Sequence, residues 1–208
     1  MRQVVLQFIV SLDGYSCDFD NGLRDVMMSI DDPEQEEYAL RRLWQAGTHI
    51  MGRVTYEGMA GFWPTSGLPA AAAMNDIPKV VFSRTLRSAD WPETRIASGD
   101  AAEEIAKLKA EPGGDILAQG GTQFARSLIR LGLVDQYRLW VLPAAAGQGA
   151  PLFTGLDRPL TLRLLESTAF PSGVLELVYS PASPYSGEYG MSGSMSDHLG
   201  GLVSDSTT

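Results

Sequence analysis

The chain carries a single cysteine, Cys17, and two histidines, His49 and His198, among 208 residues. One thiol cannot close an internal disulfide, and this Cys/His count cannot furnish a four-ligand Cys/His zinc site. Basic residues are scarce: 16 Lys plus Arg stand against 25 Asp plus Glu, a formal charge of -9. A field of that sign repels nucleic acid and anionic lipid, so partners of both kinds are disfavoured. Long apolar runs are lacking too. Val4 to Val10 is soon interrupted by Ser11 and Asp13, too early for a membrane span or a readable signal peptide. The expectation is a cytoplasmic protein. No G-x-G-x-x-G follows the first strand and no Walker phosphate loop is present, which weakens a standard Rossmann domain and a nucleotide triphosphatase.

With 44% hydrophobic residues, the chain can bury one good core but hardly two. One domain over residues 1–180 is expected, followed by a Ser/Gly/Pro-rich tail over 181–208 with no sustained period. The nearly continuous apolar run Val4 to Leu12 predicts a strand covered on both faces. Asp32-Pro33-Glu34-Gln35 supplies a helix cap, a proline at the first helical position and a capping-box partner. Leu40 and Leu43 follow at helical spacing, and Thr48 to Met51 and Lys79 to Ser83 read as strands. Asp100-Ala101-Ala102-Glu103 opens another helix in the same way, and Asp115 to Ala118 returns as a strand. A helix carrying Phe124, Leu128 and Leu131 on one face comes next. Strands at Gln136 to Leu142, Leu160 to Ala169 and Val174 to Tyr179 close the domain, the last two as an antiparallel hairpin. The alternation predicts an α/β fold: a mixed, mostly parallel sheet with flanking helices.

Two strand-to-helix junctions place glycine where a phosphate needs close backbone approach: Met51-Gly52-Arg53-Val54-Thr55 and Gln119-Gly120-Gly121-Thr122-Gln123. In a parallel sheet both lie at the carboxyl edge, where they can face one diphosphate from two sides with helix N-terminal amides. Ser83-Arg84 offers a hydroxyl and a guanidinium, which suit a 2′-phosphate better than a ribose diol and so favour NADP over NAD. His49 and His198 read as structural or solvated. The four tryptophans read as core or cleft walls, with Trp63 beside Pro64 the candidate for a substrate lid.

Taken in order, Val4 to Gly14, Ile50-Met51-Gly52-Arg53-Val54-Thr55-Tyr56-Glu57, Val80-Val81-Phe82-Ser83-Arg84, Leu117 to Thr122 and Pro143 to Gly149 resemble the dihydrofolate-reductase-like family. The likeness is to the C-terminal reductase domain of bacterial riboflavin-biosynthesis enzymes in particular, and it spans about residues 2–180. It implies a three-layer α/β fold, bound NADPH and a homodimer. It further implies that Arg53 and Thr55 meet cofactor phosphates, that Ser83 and Arg84 meet the 2′-phosphate, and that Gly120, Gly121, Thr122 and Gln123 cradle the diphosphate. The nicotinamide would lie beside Val10, Asp13 and Gly14.

Reduction of a C=N bond needs a proton as well as hydride, and a partly buried carboxyl with a raised pKa suits that task. Asp13, Glu36 and Glu37 are the candidates. Dihydrofolate reductases place a substrate-binding carboxylate on the helix that holds the two glutamates here, although acids in a first turn also serve the helix dipole. The riboflavin-pathway reductases commonly carry glutamate before the glycine pair; this chain has Gln119, whose amide exchanges no proton near neutral pH. The expectation is therefore an NADPH-dependent reductase of a small heterocycle, pterin-like or 5-amino-6-(ribosylamino)uracil-like. The alternatives are a catalytically inactive NADP-binding sensor or assembly module, or a different α/β sheet with purely structural glycine turns.

Overall fold

The computed structural model describes residues 1–16 and 22–182; Cys17, His198 and all but the first two residues of the expected tail lie outside them. The first strand, β1 (Val4–Val10), is apolar on both faces because both are covered. Val4, Leu6, Phe8 and Val10 enter one core layer, Val5 a second and Ile9 a third. The strand stops two residues before the expected Leu12, because the chain turns there: Ser11 N donates to Tyr15 O and Gly14 N to Ser11 O, each at 2.9 Å.

The chain continues through α1 (Leu23–Met28), α2 (Pro33–Leu43), β2 (Ala46–Gly52), α3 (Arg53–Ala60), a short 3-10 helix (Trp63–Thr65) and α4 (Ala71–Asp76). Then come β3 (Lys79–Phe82), β4 (Thr94–Ala97), α5 (Ala101–Ala110), β5 (Asp115–Gln119) and α6 (Thr122–Arg130). The end is all strand: β6 (Gln136–Val141), β7 (Leu162–Ala169) and β8 (Leu175–Pro181). The sheet order is β4-β3-β2-β5-β1-β6-β8-β7. Every pairing from β4 to β6 is parallel, and β8 runs antiparallel to both β6 and β7. The helices α5 and α6 bury Ile105, Leu108, Ala125, Leu128 and Ile129 on one side of the sheet. On the other side α2, α3 and α4 contribute Leu43, Tyr56 and Met74. The result is three layers, with the carboxyl ends of β1, β2, β3 and β5 along a common edge.

Several local signals hold in part. Asp32 caps α2 by accepting from Gln35 N at 3.0 Å, but the capping box is not closed. Gln35 Oε1 instead accepts from Ser172 Oγ at 2.8 Å, and Asp32 Oδ2 from Ser172 N at 2.9 Å, clasping the β7–β8 turn to the helix. Asp100 likewise accepts from the amides of Ala102 and Glu103 at 2.9 and 3.1 Å. The buried face of α6 is Thr122, Ala125, Leu128 and Ile129, whereas Leu131 caps the helix and is exposed. Trp44 is also largely exposed, while Trp91 and Trp140 are core. Strand β4 has no sequence signal of its own: Thr-Arg-Ile-Ala is made a strand by pairing with β3, from Lys79↔Thr94 to Phe82↔Ala97. His49 is fully buried, and burial foremost, with Lys79 second, pushes its pKa down to about 3, so it is a neutral core group at physiological pH.

Candidate functional site

The two glycine-bearing bends meet. A Cβ built on Gly121 would lie 2.5 Å from Thr55 Oγ1, and one built on Gly120 would lie 3.7 Å from Thr55 Cγ2. Gly120 and Gly121 have positive φ, 59° and 78° respectively, a conformation in which a side chain is strained. The first bend closes on the second from the other side: a Cβ at Gly52 would lie 3.2 Å from Phe124 Cβ. Among the described residues the helices α3 and α6 begin at Gly52 and Gly121 with no side-chain cap, unlike α2 and α5, each closed by an aspartate. First-turn amides without an intrahelical partner or a capping side chain are the groups that bind an anion. Thr122 is the exception in its bend: it is buried and its hydroxyl donates to Ser16 Oγ at 2.9 Å. Gln123, next in the helix, is exposed.

The cations lie along the same edge. Arg53 stands at the first position of α3 and pairs with Glu57 through Nη1 at 2.8 and 2.9 Å, both side chains about half exposed. An exposed i,i+4 pair contributes only about 0.3–0.5 kcal/mol, so a phosphate can compete for this guanidinium. Ser83 Oγ accepts from Thr85 N at 3.2 Å and from Leu86 N at 2.9 Å. It therefore shapes the β3 exit first, and its hydroxyl lies 3.5 Å from Thr85 Oγ1. Arg84 beside it is exposed.

At the β1 exit, Val10 is buried in the core and offers no polar group. Gly14 turns the chain at φ 81°. Asp13 is a brace. Its Oδ1 accepts from Ser11 Oγ at 2.5 Å and Ala146 N at 2.9 Å, and its Oδ2 from Gly147 N at 2.7 Å. The Ser11 hydroxyl foremost, then the two amides, hold its pKa at about 2. This corrects the expectation of a raised pKa here: Asp13 is an acceptor that ties the β1 exit to the 143–149 loop. Because its folded pKa lies below the unfolded value near 3.8, its stabilisation is present above that value and is lost as pH falls from about 4 to 2. Asp13→Asn should therefore give a melting temperature that declines less steeply over that interval than the parent's.

Beside the bends lies a cavity of about 260 Å³ between the sheet, α2 and the 63–74 segment. Its floor holds Gln7 and Gln119, its apolar walls include Leu40, Leu43 and Trp63, and Glu36 is the one ionisable lining residue among the described residues. Trp63, the lid candidate, lines this cavity as one of its walls and packs edge-on against Phe62 at 5.0 Å. Glu37 points elsewhere and pairs with Arg41 at 2.6 Å. A larger cleft, about 370 Å³, opens at the opposite edge around Lys79, Glu93 and Arg95. It lies away from the glycine bends, and Lys79 is committed to the carbonyls of Met74, Asn75 and Ile77 at 2.7–3.1 Å.

Sequence reasoning passed over Gln7. Its signal was there: it is the one polar residue in Val-Val-Leu-Gln-Phe-Ile-Val, a strand whose faces are otherwise apolar. Behind it runs a buried ionic cluster. Arg138 Nη1 donates to Gln7 Oε1 at 3.4 Å, and Arg138 Nε lies 3.6 Å from Glu176 Oε1. Tyr38 Oη donates to Glu176 Oε2 at 2.6 Å, and Arg42 bridges Glu176 and Glu166 at 3.2 and 2.5 Å. These bonds fix α2, and with it Glu36 and Leu40, against the sheet.

Residues 2–175 match the RibD C-terminal domain. Over 183 residues the chain is 32% identical to the Bacillus subtilis protein YyaP, itself uncharacterized, covering 86% of this chain and 94% of that one. A Shewanella sp. PV-4 protein whose name ties it to riboflavin biosynthesis superposes with a TM-score of 0.71 at 21% identity, covering 87% of this chain and 99% of that one. Enterococcus faecalis dihydrofolate reductase, solved in complex with NADP(H) and RAB-propyl, superposes with a TM-score of 0.57 at 14% identity. That superposition covers 87% of this chain and 97% of the reductase. The fold is the three-layer dihydrofolate-reductase-like fold. Among the described residues no helix is long and apolar enough to cross a membrane.

Proposed function

The chain belongs to the RibD C-terminal domain family, and from that premise we propose that it is an NADPH-dependent reductase of a small heterocyclic substrate, pterin-like or 5-amino-6-(ribosylamino)uracil-like. The observation that carries this reading is the convergence of two uncapped helix starts on one glycine-lined groove, Gly121 lying against Thr55. The residues present fit a dinucleotide. Amides of α3 and α6, the Thr55 hydroxyl and the Gln123 amide would hold the diphosphate, with Arg53 neutralising charge at its side. Arg84, with the Ser83 hydroxyl, would hold the 2′-phosphate. When bound, the cofactor supplies hydride. The cavity floored by Gln7 and Gln119 adjoins the Gly120 bend and would present the substrate, its apolar walls excluding water. Glu36 is the carboxylate with access to that cavity, so proton delivery falls to Glu36, directly or through water, and not to Asp13. We further propose that the protein works in the cytoplasm as a homodimer.

Replacing Arg84 with alanine should weaken NADPH binding by about 1–3 kcal/mol and leave NADH binding nearly unchanged, as read by calorimetric titration. Equal losses for both cofactors would move the 2′-phosphate site elsewhere. The reading as an enzyme is tested by NADPH consumption that tracks an added pterin or aminouracil. A second reading, an NADP-binding sensor without turnover, is favoured by Gln119 standing before the glycine pair and by a cavity whose lone carboxylate, Glu36, is exposed. Saturable binding with no substrate-dependent consumption would select it.

A further inference from the structure

We infer that the cavity selects an uncharged, unphosphorylated planar ring with an amide-like edge, read by the paired side-chain amides of Gln7 and Gln119. The inference rests on the reductase reading above and narrows its substrate class. Gln7 and Gln119 are register partners on the adjacent parallel strands β1 and β5, so their side chains leave the same face side by side. Both amides are oriented. Arg138 Nη1 donates to Gln7 Oε1 at 3.4 Å, which turns the oxygen toward β6 and leaves the NH2 as the group offered to the cavity. Gln119 Nε2 is turned to Met74 Sδ at 3.7 Å, which leaves its carbonyl oxygen. A donor beside an acceptor is the complement of a C=O next to an N–H, the edge of a lactam or a ring imide.

Charge decides the rest. Among the described residues lining the cavity none is cationic, and the one ionisable side chain is an acid, Glu36. The nearby guanidinium groups of Arg42 and Arg138 are committed to Glu166, Glu176, Tyr38 and Gln7. A phosphate entering here would lose water and gain no counter-charge from these residues, an unpaired charge that discriminates against it. Exposed cations lie instead at the carboxyl ends of β2 and β3, at Arg53, Arg84 and Arg87, where the cofactor phosphates are proposed to bind. At about 260 Å³, the cavity falls just under the range of about 300–1,000 Å³ common for small-molecule sites. Leu40, Leu43 and Trp63 make walls suited to a flat ring.

The test is calorimetry on the full chain saturated with NADPH, titrated with uracil, with 6-methyl-7,8-dihydropterin and with uridine 5′-monophosphate. Both unphosphorylated rings should bind at least about tenfold more tightly than the nucleotide, the discrimination expected of a site that leaves a charge unpaired. Gln7→Leu and Gln119→Leu should each weaken the rings about tenfold or more while NADPH affinity stays, and Glu36→Lys should narrow the gap to the nucleotide. Nucleotide binding as tight as uracil, ring binding unmoved in both leucine variants, or no ring binding to the NADPH-saturated protein would overturn the inference. Failure of NADPH itself to bind would overturn the reductase reading instead. Unfolding curves of each variant separate lost recognition from lost fold.

Discussion

Glu176→Ala is expected to lower the unfolding free energy by about 3–5 kcal/mol, the usual consequence of stripping one partner from a buried ion pair. Glu176 is 0% exposed and Arg138 3%, and Arg138 Nε already lacks a hydrogen-bond partner among the described residues. Burial foremost lowers the Arg138 pKa, and the Glu176 carboxylate is the first group raising it again. Without that carboxylate the guanidinium is a buried charge that loses its contacting counter-ion, and Tyr38 loses the shorter of its two carboxylate bonds. Urea unfolding with an unchanged m-value is the measurement. Glu166→Ala removes a carboxylate that is 47% exposed, so it should cost no more than about 1 kcal/mol. Equal losses at the two glutamates would contradict the distinction between a buried keystone and its surface neighbour. Because Arg138 also orients Gln7, the Glu176 variant should lose ring binding before it loses NADPH binding, when assayed well below its unfolding midpoint.

The second large effect is expected at Gly121. An alanine there must adopt φ 78° and place its Cβ 2.5 Å from Thr55 Oγ1. Strain of that kind costs about 1–3 kcal/mol, and relieving it requires the two bends to part. If they grip one diphosphate, parting them forfeits at least one charge-assisted hydrogen bond, so NADPH affinity should drop by about 1.5–3 kcal/mol or more. Adding Thr55→Ala removes the steric part but leaves the backbone strain, so the double variant should recover some stability and be measurably non-additive. A Gly121→Ala protein with parental stability and parental NADPH affinity would mean that the close approach is not the binding element.

The sequence disclosed what is local. Asp32-Pro33 and Asp100 mark helix starts through short-range chemistry, and the apolar run from Val4 marks a strand covered on both sides. The Gly52 and Gly120-Gly121 junctions are legible because glycine before a helix has few other reasons to recur at the ends of parallel strands. What stayed hidden depends on distant partners. Asp13 reads as a reactive carboxylate until Ala146 and Gly147, 133 and 134 residues away, are seen to donate to it. Glu176 looks like an ordinary strand residue until Tyr38, 138 residues earlier, is found against it. Strand β4 exists because β3 offers an edge, and Gln7 matters because Gln119 is its register partner. Ser83 shows a second use that stayed hidden: the residue lies at the expected edge, where its oxygen also accepts from two nearby amides.

A crystal structure grown with NADPH tests the central claim most directly. The diphosphate should lie across the two bends, within hydrogen-bond reach of the first-turn amides of α6 and of the Thr55 hydroxyl, with the 2′-phosphate at Arg84 and the nicotinamide beside Val10, Asp13 and Gly14. Cofactor density away from that edge, or no cofactor on the two bends at saturating NADPH, would contradict it.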